Sequence, residues 1–284
     1  MKTKLTFLIL IIIGFYNQFH SQLKSNDTLK VCTEIKEYNF SGQKIAVLKR
    51  EKWSAGQVLK VKFLGGDNFL QSKVKQYAVE WSKHCSIKLE FITSGTAQIR
   101  VNFLAGKGSW SIIGKASQTY SINPETNESY FSNDGTTMNF GWFNSDTPDI
   151  EFSRTVIHEF GHALGLIHEH QSPSAAIPWD IPKVYQYYQE TQGWSKDEVD
   201  NNIFFRYSRG STQHSSYDRY SIMHYAIPAY LLLDESFSVG WNTSLSDLDK
   251  SYISTIYPIA TKKPKRPKNN NDDSHVGDVR GGIH

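Results

Sequence analysis

Cysteine is scarce in this chain, which has two, Cys32 and Cys85, among 284 residues. A framework of several disulfides, the usual support of small secreted domains, is therefore excluded. The chain must bury a core of its own, and 39% hydrophobic and 13% aromatic residues suffice for that. Its length fits one or at most two compact domains.

Between its two ends, the chain also lacks an excess of basic residues. Its formal net charge is +3, but Lys2 and Lys4 contribute +2, and residues 261–284 carry six basic against three acidic residues. Residues 5–260 hold 23 basic and 25 acidic side chains. Nucleic acid is therefore not an expected partner, because nucleic-acid-binding domains present a basic surface. The Lys-, Pro- and Asn-rich residues 261–284 predict a disordered tail.

A single long apolar run stands near the start of the chain. It covers residues 5–13, follows Lys2 and Lys4, and precedes polar residues from Asn17 onward. This order predicts a secretory signal peptide over residues 1–21 and hence an extracellular protein. No stable membrane anchor is expected, since a spanning helix needs about 20 apolar residues.

Between the two ends, the hydrophobic pattern changes between strand and helix periods, which predicts an α+β fold. The second half is otherwise rich in loops. Predicted strands cover 57–63, 87–92, 98–104, 118–122 and 136–143, and predicted helices cover 69–83, 152–166, 183–190 and 196–205.

A histidine-rich motif occupies residues 158–169. On a helix, His158 and His162 project from one face, one turn apart, and can bind the same metal ion. Glu159 lies about 100° around the helix, where its carboxylate reaches a water rather than the metal. His168 would point away from the ion if the helix continued. Gly165 is therefore expected to end the helix at a positive φ and return His168 to the metal.

Three neutral imidazoles favour Zn²⁺ and leave one coordination position open, which is typical of a catalytic site. The sequence therefore predicts one catalytic zinc ion, with Glu159 as the general base. A zinc-bearing binding module without turnover would need a fourth ligand, for which His170 and His224 are the candidates. A zinc hydrolase of non-peptide esters shares the chemistry, and a substrate assay separates it from a peptidase.

Two motifs together resemble a known group of enzymes. Residues 158–168 resemble the consensus of metzincin zinc endopeptidases, and residues 221–225, Ser-Ile-Met-His-Tyr, resemble the Met-turn of the astacin family within that group. The resemblance implies a metalloendopeptidase with two subdomains. A twisted, mostly parallel sheet with long helices forms the N-terminal half, and the Met-turn and a closing helix lie in a loop-rich C-terminal half.

The resemblance also implies roles for two residues of the Met-turn. Met223 would form an apolar floor under the zinc ligands, and Tyr225 would be a fifth zinc ligand that swings to stabilise the transition state. A phenol near zinc can donate to a developing oxyanion, which supports the second role. The alternatives are ordinary core filling for Met223 and an ordinary packed aromatic for Tyr225.

The likeness covers about residues 53–258, with a substrate-pairing edge strand at 110–114 and the closing helix at 246–258. Both disulfides of the family are missing, because Ser109 and Trp142 replace one pair and Cys85 lacks its C-terminal partner. These departures from the astacin pattern make the chain similar to bacterial astacin-like enzymes.

The same resemblance implies that Glu169 meets the new N-terminus of the processed enzyme. The alternative is a solvated surface acid.

The predicted organisation is a signal peptide (1–21), a pro-segment (22–50), a catalytic domain (51–260) and the tail (261–284). We expect a secreted, monomeric zinc endopeptidase made as a zymogen. Its substrates are expected to be extended polypeptides that add to an edge strand.

Cys32 lies in the predicted pro-segment and bears on latency. A thiolate is a good zinc ligand and could occupy the open position until the pro-segment is removed. The resemblance to bacterial astacin-like enzymes favours such a cysteine switch. A disulfide to Cys85 and a plain thiol are the alternatives. Cys85 itself is expected to be a small buried hydrophobe.

Overall fold

The computed structural model describes residues 30, 32, 51–123, 125–126, 128–210 and 215–259. The predicted signal peptide, most of the predicted pro-segment and the tail from 261 lie outside the described residues. Within the described ranges, no helix is both long and apolar enough to pass through a bilayer.

A five-stranded sheet organises the N-terminal half. The strands of the described residues are β1 (Val58–Phe63), β2 (Lys88–Ile92), β3 (Ile99–Asn102), β4 (Ser109–Ser111), β5 (Tyr120–Asn123), β6 (Glu128–Phe131) and β7 (Met138–Phe140). The main sheet has the order β2-β1-β3-β7-β4, and β5 pairs with β6 in a separate ribbon. Three pairings of the main sheet are parallel, and β4 lies antiparallel at its edge. The predicted mostly parallel sheet is confirmed.

One α-helix lies between β1 and β2 in the chain, and the other α-helices of the described residues follow β7. They are α1 (Asn68–Ala78), α2 (Asp149–Ala163), α3 (Ile181–Gln192), α4 (Lys196–Val199) and α5 (Asp247–Ile256), with 3-10 turns at Trp81–Lys83, Gly114–Gln118, Glu169–Gln171 and Ala229–Leu231 and a π-helical segment at Asp200–Phe204. The closing helix expected at 246–258 is therefore present as α5.

The helix predicted over 69–83 is shorter than expected. It ends at Ala78, and a 3-10 turn follows from Trp81. The side chain of Trp81 is fully buried, and its indole N–H donates to the carbonyl oxygen of Ile157 at 2.7 Å. The burial of Trp81 therefore reflects its contact with α2 rather than a continuation of α1.

Other sequence expectations fail at short elements. The strand predicted from 118 begins at Tyr120, after a 3-10 turn, and the strand β6 was not predicted. The helix predicted over 196–205 divides into α4 and the π-helical segment. Elements of three to five residues contain too few repeats for a period to be recognised.

The core consists of two main clusters. The first lies between the sheet and helices α1 and α2, and includes Val156, Phe160, Ala163 and Leu164 on the predicted inner face of α2. The second contains Trp110 of β4 and residues of the C-terminal half. Helix α2 therefore carries its histidines along the boundary between the two clusters.

Candidate metal centre

Helix α2 presents the predicted ligands as the sequence motif requires. His158, Glu159 and His162 all lie on it, and all three side chains are buried. The helix ends at Ala163, and Gly165 has a φ of 97°, a conformation that favours glycine. The predicted turn at Gly165 is thereby confirmed, and the chain after it returns towards the helix.

Four side chains converge beside α2. One ligand atom from each of Cys32, His158, His162 and His168 lies within 4.8 Å of the others, and all four residues are buried. The Nε2 atom of His158 has no hydrogen-bond partner among the described residues. Buried polar atoms are almost always paired, so an unpaired imidazole nitrogen that faces the other three side chains fits a metal ligand. Imidazole nitrogens and a thiolate are ligands that zinc prefers.

Backbone carbonyls select the tautomer of two of the histidines. The Nδ1 atom of His158 lies 2.8 Å from the carbonyl oxygen of Ile222, and that of His162 lies 2.8 Å from Leu166. Because a carbonyl only accepts, each Nδ1 donates and each Nε2 turns its lone pair inward. Burial and neighbouring histidines hold the pKa of His158 well below its usual range. The ring is therefore neutral, as a metal ligand must be.

Glu159 is fully buried next to the histidines. Its Oε2 accepts a hydrogen bond from the Cys32 thiol at 3.4 Å, and its Oε1 has no partner among the described residues. Burial raises the pKa of the carboxyl to about 8, while the Cys32 hydrogen bond and the charge of Arg154 lower it. A cation bound beside this carboxyl would favour its ionised form.

The Met-turn lies directly beneath α2. A side chain at Gly161 would collide with the sulfur of Met223, so glycine at this position permits the close approach. The hydroxyl of Tyr225 donates to the carbonyl oxygen of Cys32, and its ring lies edge-on to His168 with centroids 4.4 Å apart. Met223 therefore lies against Gly161 of α2, and Tyr225 lies beside His168.

The two cysteines occupy separate places. Cys32 forms a parallel β-bridge with Ser109 on the edge strand β4, and its side chain joins the histidine group. Cys85 is fully buried in the first core cluster, as expected. No disulfide joins the two cysteines in this structure. The alternative of a disulfide between Cys32 and Cys85 is therefore wrong.

His170 and His224, the two candidates for a fourth ligand, make other contacts. His170 contacts the carbonyl oxygen of Asn202 through Nε2 at 2.8 Å. His224 contacts the hydroxyl of Tyr217 and a backbone carbonyl. Neither belongs to the convergent group, whose fourth member is Cys32 of the predicted pro-segment.

Arg154 lines the cleft that also contains Cys32, His158 and Glu159, and the sequence analysis missed it. Its guanidinium pairs with Glu151, stacks on the ring of Trp241 at 4.0 Å and contacts the carbonyl oxygen of Lys30 at 3.4 Å. Arg154 lies four residues before His158, hence on the same face of α2. That helical spacing is the signal that could have identified it.

Glu169 lines a cavity next to the Met-turn and α5. The cavity has a volume of about 230 Å³, and Lys52, Asp218 and Asp249 are among the residues that line it. One oxygen of Glu169 accepts the backbone N–H of Asp218 at 2.9 Å. Burial, together with Asp249 and Asp218, raises the pKa of Glu169 to about 8. A carboxyl in this position would be stabilised by a positively charged occupant of the cavity.

Comparisons with known proteins give a matching family model and similar solved structures. The family model for matrixins, peptidase M10, matches residues 10–201. A solved structure of myroilysin is 50% identical with a TM-score of 0.69, over 75% of this chain and 98% of that one. A second myroilysin structure is 46% identical with a TM-score of 0.59, over 82% of this chain and 93% of that one.

A curated relative is more distant. Protein SpAN from Strongylocentrotus purpuratus is 22% identical over 235 residues, which are 76% of this chain and 32% of SpAN. The chain therefore spans about a third of the length of that relative.

The matrixin match spans more than half of the chain, and the likeness to myroilysin extends over nearly all of that structure. The predicted metzincin fold and zinc cofactor are confirmed, and the buried histidine group accords with them. The chain belongs to the matrixin family and is a zinc metallopeptidase of the metzincin type.

Proposed function

We propose that this protein is a secreted zinc endopeptidase, made as a zymogen, in which His158, His162 and His168 hold the catalytic ion. The observation that carries the proposal is the convergence of the three imidazoles with Glu159 beside them. Bound zinc would supply Lewis-acid activation of a water and of the substrate carbonyl.

Glu159 and Tyr225 carry out proton transfer and oxyanion stabilisation. Glu159 takes a proton from the attacking water and later delivers it to the leaving amine, a transfer that its buried carboxyl is placed to make. Tyr225, whose hydroxyl already donates to the carbonyl oxygen of Cys32, donates in the same way to the oxyanion of the substrate.

The edge strand β4 supports an extended polypeptide as the substrate. It is one of the two outer strands of the main sheet, and the backbone of Cys32 already pairs with Ser109 on it. A substrate that adds to this edge is held by main-chain hydrogen bonds, so its sequence matters mainly in side-chain pockets.

Digestion of casein or gelatin tests the proposed activity. The processed protein should bind close to one zinc per chain and cleave the protein substrate, and a chelator should stop cleavage until zinc is restored. Cleavage of esters without cleavage of casein would indicate the non-peptide hydrolase. Zinc binding with no turnover of either would indicate the binding module.

We expect Tyr225→Phe to keep its zinc and to lower turnover by about 10²- to 10³-fold, because one oxyanion donor is typically worth about 3 kcal/mol. Steady-state kinetics on a peptide substrate measure the effect. Tyr220→Phe, at an exposed position near the Met-turn, is the matched control. A higher Michaelis constant with unchanged turnover would contradict a transition-state role for Tyr225.

The cavity beside Glu169 supports a second part of the proposal. We assign it to the new N-terminal ammonium group that forms when the pro-segment is removed. Lys52, close to the predicted end of that segment, already lines the cavity. An ammonium group would pair with the Glu169 carboxylate there and offset the cost of its burial.

Extension of the processed N-terminus by three residues should therefore lower the free energy of unfolding by about 1–3 kcal/mol, the value of a hydrogen bond to a charged group. Thermal unfolding of the zinc-loaded enzyme measures the loss. The same extension should have little effect in a Glu169→Gln background. Equal losses in both backgrounds, or no loss in either, would refute the pairing of Glu169 with the new N-terminus.

A further inference from the structure

The closing helix α5 begins with a buried acid. Asp249 and Ser246 form a capping box, in which the Asp249 N–H donates to Ser246 Oγ at 2.9 Å and the Ser246 N–H donates to Asp249 Oδ2 at 3.0 Å. Asp249 is 8% exposed. A capping box needs no such burial, because it satisfies backbone groups at the surface equally well. The burial of Asp249 therefore requires another explanation.

The explanation lies in the contacts of Asp249 with the Met-turn. Its Oδ1 accepts the hydroxyl of Ser221 at 2.7 Å, and its Oδ2 accepts the backbone N–H of Ile222 at 2.9 Å. The hydroxyl oxygen of Ser221 in turn accepts the N–H of Met223 at 3.1 Å. One carboxylate thus fixes three consecutive residues of the turn.

The same turn holds a zinc-site histidine. The carbonyl oxygen of Ile222 lies 2.8 Å from Nδ1 of His158, the nitrogen that faces away from the site. Asp249 therefore acts on His158 through one residue, because it fixes the N–H of Ile222 while the carbonyl of Ile222 fixes the imidazole. Groups that hold the outer nitrogen of a metal-binding histidine set the ring orientation and contribute to metal affinity.

We propose that Asp249 is a positioning residue of the zinc site, which places the Ile222 carbonyl so that His158 points Nε2 at the ion. The inference rests on the proposed role of His158 as a zinc ligand. It adds a link between the closing helix and the metal that a helix cap alone would not provide, since capping uses neither Ser221 nor Ile222.

Zinc affinity separates positioning from capping. In Asp249→Ala, measured on the full-length chain by competition with a chelator, the zinc dissociation constant should rise about 10- to 100-fold. Ser246→Ala, which removes the cap acceptor and leaves the contacts of Asp249 with the Met-turn, should keep wild-type affinity while losing thermal stability. Asp249→Asn, whose amide oxygen still accepts the Ile222 N–H, should restore most of the affinity.

Cobalt substitution gives a readout that a capping role would not change. The ligand-field absorption of the Co²⁺ form should shift in Asp249→Ala and stay unchanged in Ser246→Ala. If Asp249→Ala fails to fold, Ser221→Ala removes the other side-chain contact with the turn and should weaken zinc binding by a few fold. Wild-type affinity and spectrum in the folded variants would overturn the inference. A wild-type chain that bound no zinc would instead refute the proposed function.

Discussion

Glu159→Gln is expected to keep its zinc and to lose about 10²- to 10⁴-fold in proteolytic rate, the usual contribution of a general base. The amide has the size of the carboxylate, so the packing around this fully buried side chain is preserved. An amide cannot accept the proton of the attacking water or return it to the leaving amine. Zinc content and casein digestion, measured on the same processed sample, separate the two properties.

Glu90→Gln is the matched control, because it makes the same chemical change at an exposed position of β2. It should have wild-type activity. Activity of Glu159→Gln close to wild type would refute the proposed role. A parallel loss of zinc and activity would mean that Glu159 acts through the stability of the metal site rather than through proton transfer.

The part of the site that could be predicted is the part encoded locally. His158 and His162 are four residues apart on one helix, so the helical period alone places them together. Gly165 then adopts a positive φ, which residues other than glycine disfavour, and the observed φ is 97°. The apolar face of α2 follows the same period, which is why its buried residues were also predicted.

The remainder depends on contacts between distant residues, which leave no local pattern. The sequence alone indicates only a capping box for Asp249. Its contact with Ile222, 27 positions away, exists only in the folded chain. The stacking of Arg154 on Trp241 is of the same kind. Bounds of the shortest strands and of the 3-10 and π-helical turns were missed, because tertiary contacts such as that of Trp81 decide where they end.

Cys32 also makes a contact between distant residues, because 127 positions separate it from Glu159. Three observations connect it with latency. Its sulfur belongs to the convergent histidine group, its backbone pairs with Ser109 on the edge strand, and its carbonyl accepts the Tyr225 hydroxyl. Cys32 thus contacts the histidine group, the proposed substrate strand and the proposed oxyanion donor together. We propose that this arrangement keeps the unprocessed chain inactive.

Cys32→Ala in the unprocessed chain should therefore digest casein while the pro-segment is still attached. If the thiolate occupies the open zinc position in 99% of molecules, its removal raises the activity about 100-fold. Cys32→Ser should behave similarly, because a neutral hydroxyl of the same size is a weaker zinc ligand than a thiolate. Gel analysis at each time point must show the uncleaved chain, so that the activity is not due to processed enzyme.

Cys85→Ala is the matched control, because it removes a buried thiol that lies in the core and outside the metal-binding group. It should remain latent. The Co²⁺ form of the unprocessed wild type should show a thiolate-to-metal charge-transfer band, and Cys32→Ala should lack it. Latency of Cys32→Ala at full zinc content would rule out the thiol as the inhibitory ligand. The backbone pairing with Ser109 would then be what covers the cleft, because pairing at a strand edge does not depend on the side chain.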